Sequence, residues 1–65
     1  MTWEELCKKA YEMGYEDFYV YGELRAIWNS ELLSFRSDGT ICYDVLTFAK
    51  NRTYEQMLAI MEALR

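Results

Sequence analysis

The chain predicts an α+β domain of order αβββα, a three-stranded antiparallel sheet with two helices packed on one face. Two observations carry this reading. Amphipathic segments opened by capping-box spacings stand near both ends, and an alternating apolar stretch broken by Asp-Gly lies between them. At 65 residues the chain is one compact domain, residues 1–65. Folding at this length removes only about 60% of the unfolded chain's surface from water, so stability is marginal.

The first helix is read from "TWEELCKKAYEMG". Thr2 stands three residues before Glu5, so each side chain is placed to satisfy the other's free backbone N–H. Trp3, Leu6, Cys7, Ala10 and Tyr11 recur at three- and four-residue steps and make one apolar face. Glu4 and Glu5 suit the positive end of the helix dipole, and Lys8 and Lys9 follow each at four residues. Gly14 supplies the stop, because it accepts a left-handed backbone at no steric cost.

The second helix repeats the design over about residues 54–64. Thr53 and Gln56 have the same spacing, and Tyr54, Met57, Leu58, Ile60, Met61 and Leu64 form a broad apolar stripe.

Between them, "LLSFRSDGTICYDVL" reads as a β-hairpin. A two-residue Asp38-Gly39 turn would set Leu33 against Asp44. A three-residue Ser37-Asp38-Gly39 loop, a type I turn closed by a left-handed glycine, sets Phe35 against Ile41 and Leu33 against Tyr43. The second register gathers Leu33, Phe35, Ile41, Tyr43 and Val45 on one face and is the one expected. Leu32, Ser34, Cys42, Asp44 and Leu46 then fall on the reverse face. Cys7 and Cys42 lie on opposite sides of the sheet in this arrangement, which predicts two free thiols.

"EDFYVYG" reads as a short third strand with Phe18 and Val20 on one side and Tyr19 and Tyr21 on the other. Residues 22–31 fit two patterns. Leu24, Ile27 and Trp28 have helical spacing, whereas Leu24, Ala26 and Trp28 alternate; the extended path is favoured.

With both helices on one face, the other face of the sheet is open. Tyr19 or Tyr21, Leu32, Cys42 and Leu46 are expected on it, with Trp28 close by. Such a patch marks an interaction surface if it is contiguous. Apolar residues make up 52% of the chain and eleven are aromatic (2 Trp, 6 Tyr and 3 Phe), a generous supply for so small an interior. The expectation is a non-enzymatic module that docks a protein partner or forms a homo-oligomer through this face.

The order of elements resembles the double-stranded-RNA-binding fold, and the opening "EELCKKAYEMGY" is similar to the first helix of small ribonuclease toxins of the HicA type. The RNA-binding members of that fold imply a Gly-Pro-x-His loop and a lysine cluster at the second helix, and the toxins a Gly-Ser-His segment. This chain has no proline and no histidine, so those functional residues do not carry over. Lys50 and Arg52, just before the second helix, are what remains for a nucleic-acid or anion site, the alternative function. The ending "NRTYEQMLAIMEAL" is similar to small bacterial or phage-encoded proteins, a likeness that implies no function.

The residue inventory narrows the chemistry further. Seven basic against eleven acidic residues give a net charge of −4, which repels polyanions at long range and argues against nucleic acid as a partner. Without histidine, general acid–base catalysis lacks its commonest agent. Cys7 and Cys42 form no Cys-x-x-Cys motif, and no phosphate-binding glycine loop is present, so neither a metal nor a cofactor is expected. No apolar run reaches the roughly 18 residues of a membrane span, and no secretory leader opens the chain. A reduced, cytoplasmic location is the expectation.

Overall fold

The computed structural model describes the backbone of residues 1–65 and every side chain except those of Tyr19 and Val20. Among the described residues the chain forms helix α1 (Trp3–Glu12), strands β1 (Glu16–Tyr21), β2 (Leu24–Trp28), β3 (Leu33–Arg36), β4 (Ile41–Tyr43) and β5 (Leu46–Ala49), and helix α2 (Tyr54–Ala63). Each strand pairs antiparallel with the next, so the sheet is a meander in the order β1-β2-β3-β4-β5.

Both helices begin where their caps require. The Thr2 hydroxyl accepts the Glu5 N–H at 3.1 Å, and the Glu5 carboxylate accepts the Thr2 N–H at 2.7 Å. Thr53 and Gln56 repeat the exchange at 3.1 and 2.8 Å. α1 ends in a Schellman motif: Gly14, at φ 89°, donates to the Tyr11 carbonyl, and Tyr15 donates to that of Ala10. This turns Tyr15 back under the helix and into the core.

The core lies between the helices and one face of the sheet. Trp3, Leu6, Cys7 and Ala10 enter from α1, Met57 and Met61 from α2, and Ile27, Leu33, Phe35 and Ile41 from the strands. Phe35 is fully buried, packs its ring 5.9 Å from that of Tyr15, and contributes about 3 kcal/mol by burial alone. Trp3 meets Tyr54 edge-on at 5.5 Å, joining the starts of the two helices. Arg25 and Asp17, neighbours across β1 and β2, form an ion pair.

The hairpin register is the expected one, with Leu33 opposite Tyr43 and Phe35 opposite Ile41. Its loop is also as read: Gly39 sits at φ 92°, donates to the Arg36 carbonyl, and closes a three-residue turn. Residues 24–28 take the extended path.

The strand count differs from the expected three. Part of the difference is β2. The rest arises at Asp44, whose backbone adopts φ 56°, a conformation that aspartate tolerates better than most residues. The chain reverses there, and Leu46–Ala49 returns along β4 as a fifth strand, with Tyr43 opposite Leu46 and Cys42 opposite Thr47. Two placements change as a result. Tyr43 and Val45, expected in the core, are exposed, because the turn carries Val45 off the sheet and Tyr43 lies beyond the core cluster. Cys42 does face the reverse side, but it is only 1% exposed, with the Thr47 hydroxyl 3.5 Å from its sulfur.

Candidate interaction surface

The reverse face of the sheet is built by alternation. Phe18 pairs with Ala26 and Trp28 with Ser34, so these residues point away from the face that holds Ile27 and Phe35. Phe18 and Trp28 meet edge-on at 5.9 Å. A shallow groove of about 230 Å³ runs beside them, lined by Phe18, Trp28, Leu32, Ser34, Arg36 and Asp44. Its lining mixes two rings and a leucine with one charge of each sign.

The expected site residues therefore separate. Trp28 and Leu32 meet in this groove. Cys42 is buried beside Thr47, its cross-strand neighbour, out of reach of a partner. Tyr21, 78% exposed, stands at the end of β1 on the opposite edge of the sheet from β5. The Tyr19 side chain lies outside the described residues. Leu46 is 69% exposed on β5 opposite Tyr43, which shares the face of Ile41, so it lies on the helix-bearing side and not on the reverse face where it was expected.

Leu46 belongs to a second surface that the single-hairpin reading missed. Val45 is 86% exposed and Phe48 60%, and Tyr43 is more than half exposed beside them. The sequence from Val45 to Ala49 contains no charge, and the strand it forms is the last in the sheet. Natural edge strands are usually blunted by lysine, proline or inward charges, none of which occurs within this one. Leu32 connects the two surfaces: its carbonyl accepts the Asp44 N–H at 3.0 Å, fastening the β2–β3 turn to the β4–β5 turn. The signal available in the sequence was Asp44 itself, a residue that permits a second reversal within "CYDVL".

Around Lys50 and Arg52 the geometry is different. Arg52 turns its guanidinium toward the Lys50 carbonyl at 3.5 Å, and its backbone N–H donates to the Gly39 carbonyl at 2.9 Å. The nearby groove, about 330 Å³, includes Asp38 and Glu55 among its lining residues. The amides that would receive an anion are partly occupied by the Thr53–Gln56 capping box, and Glu55 binds the Met1 ammonium at 2.8 Å.

Burial raises the Cys7 thiol above its ordinary value of 9.0. Desolvation likewise raises the phenols of Tyr15 and Tyr54. All three shifts favour the neutral form of a packed side chain. Among the described residues no group of three or more acidic, cysteine or histidine side chains is placed to hold a metal ion, and no helix is long and apolar enough to cross a membrane. Compared with protein-family models, curated proteins and solved structures, the chain matches none.

Proposed function

We propose that the protein is a non-enzymatic interaction module whose docking surface is the β4–β5 hairpin, continued through Leu32 into the groove beside Trp28. The observation that carries this reading is the run of exposed apolar side chains at Tyr43 on β4, Val45 in the turn, and Leu46 and Phe48 on an edge strand without an internal charge. A domain with so little interior gains from burying large side chains, and full burial of each of the four left outside within these six residues would contribute about 1.5–3 kcal/mol. Tyrosine and phenylalanine are also residues that anchor protein contacts. The edge adds backbone groups that a partner strand can pair.

An environment-sensitive apolar dye, titrated into dilute protein, tests the surface. Binding should be evident for the natural chain and strongly reduced for Leu46→Lys and Phe48→Lys, with far-UV circular dichroism unchanged. Equal dye binding by the natural chain and both folded variants rules this surface out.

A further inference from the structure

We infer that the groove beside Trp28 takes the C-terminal residue of a partner chain, with its terminal carboxylate on Arg36 and its apolar side chain against Phe18 and Trp28; this rests on the docking surface proposed above. Arg36 carries the argument. It stands opposite Ala26, so it shares the reverse face with Phe18 and Trp28, and it lines the groove with them. The chain has eleven acidic residues, yet the ion pairs among the described residues join Met1 to Glu55 and Arg25 to Asp17, and none reaches Arg36. Its Nε is buried and has no hydrogen-bond partner. A guanidinium held partly out of water without a counter-charge attracts an anion more strongly than a fully solvated one does.

The rest of the groove selects the anion. Two rings and Leu32 line it beside Arg36, so the matching anion carries an apolar group close to its charge. At about 230 Å³ the space is smaller than the roughly 300–1,000 Å³ pockets of drug-sized ligands and suits a single residue. The last residue of a polypeptide brings a carboxylate and a side chain on the same carbon. An internal Asp or Glu does not, because its neighbours' side chains point to the opposite face of an extended segment. Asp44 sets the direction. Its N–H donates to the Leu32 carbonyl at 3.0 Å, four residues before Arg36, so the groove has a cationic end and an anionic end. A carboxylate belongs at the first, and the second accepts the N–H groups of the chain that precedes it. That chain then leaves past Leu32 toward the exposed Val45 and Leu46, the surface proposed above. Capture of a chain end by its carboxylate is a recurrent mode of peptide recognition, and Trp and Arg are the residues that most often dominate protein contacts.

The two tryptophans provide the test, since Trp28 lines the groove and Trp3 is buried in the core on the other side of the sheet. In heteronuclear NMR spectra, acetyl-Gly-Gly-Phe with a free C-terminus should shift the Trp28 indole N–H saturably and leave that of Trp3 in place. The same peptide closed by a C-terminal amide should bind about tenfold more weakly, the worth of one charged contact. Arg36→Gln should bring the acid down to the affinity of the amide. Comparison of acid with amide uses the natural chain, so it decides the matter even where Arg36→Gln folds poorly. Equal binding of acid and amide overturns the inference. So does tighter binding of acetyl-Phe-Gly-Glu amide, whose carboxylate is on a side chain, or of free phenylalanine; the first result assigns the groove to an internal acidic residue and the second to a free amino acid. No response at Trp28, with dye binding that still depends on Leu46 and Phe48, overturns the groove and leaves the hairpin surface standing. Absence of both responses overturns both.

Discussion

Leu32 in the β2–β3 turn occupies the seat that Gly39 occupies in the β3–β4 turn. In both three-residue loops, 30–32 and 37–39, the last residue has positive φ, 67° for Leu32 and 92° for Gly39. In both, its N–H donates three residues back, to Asn29 and to Arg36. Glycine takes this conformation freely, whereas a leucine is strained in it. Asn29 holds the strained loop, its side-chain oxygen accepting N–H groups of both Glu31 and Leu33.

Leu32→Gly should therefore stabilise the isolated domain. Relief of left-handed strain is worth about 1–2 kcal/mol, and the greater freedom of glycine in the unfolded chain returns about 0.5–1 kcal/mol of it. The expected net gain is about 0.5–1 kcal/mol, read as a rise of a few degrees in the thermal midpoint. A fall in midpoint would show that the leucine side chain contributes more by contact than it costs in strain.

Gly39→Ala should act in the opposite direction. A Cβ at this position would lie 2.9 Å from the Arg52 carbonyl oxygen and 3.3 Å from its nitrogen, both backbone atoms, in a loop already at positive φ. Strain and displacement together should cost about 2 kcal/mol or more in urea unfolding. The approach exists because the Arg52 N–H donates to the Gly39 carbonyl, tying the segment before α2 to the hairpin.

Tyr54→Phe removes one hydrogen bond and little else. The phenol donates to the Ser37 carbonyl at 2.6 Å, across the gap between α2 and the β3–β4 loop. Denaturant titration should show a loss of about 1 kcal/mol, with the ring contact to Trp3 retained. An unchanged midpoint would mean that water replaces the phenol at Ser37 without penalty.

Both thiols should resist alkylation in the native state. Cys7 is buried, its thiol shifted further toward the protonated form, and Cys42 is covered within the sheet. Mass spectrometry after a brief exposure to iodoacetamide near neutral pH should find the folded chain unmodified and the denatured chain carrying two adducts. Rapid labelling of Cys42 in the folded protein would contradict its burial in the sheet.

Acid should weaken the protein partly through Glu5. The Thr2 backbone N–H holds this carboxyl below its ordinary value of 4.5. A group with a depressed folded-state pKa contributes stability that is present above the unfolded value and lost as pH falls through the folded one. Glu5→Gln keeps an acceptor for Thr2 but cannot titrate, so its stability should decline less steeply than that of the natural chain as pH falls below about 4.5. Parallel acid limbs for the two proteins would exclude this contribution.

The sequence by itself determined both helices, their capping boxes, the glycine stop after α1 and the three-residue loop at Gly39. Each depends on residues a few positions apart whose geometry the backbone already prescribes. It also determined the Leu33–Tyr43 register, because only one pairing kept Asp44 from facing a leucine. Tertiary structure alone decided the fifth strand, the burial of Cys42 and the exposure of Tyr43 and Val45. The reversal at Asp44 is fastened by an N–H to the carbonyl of Leu32, twelve residues away, and the return strand sets Thr47 against Cys42. Alternation in a sequence says which side chains share a face; only the neighbours brought in from elsewhere say whether that face meets water.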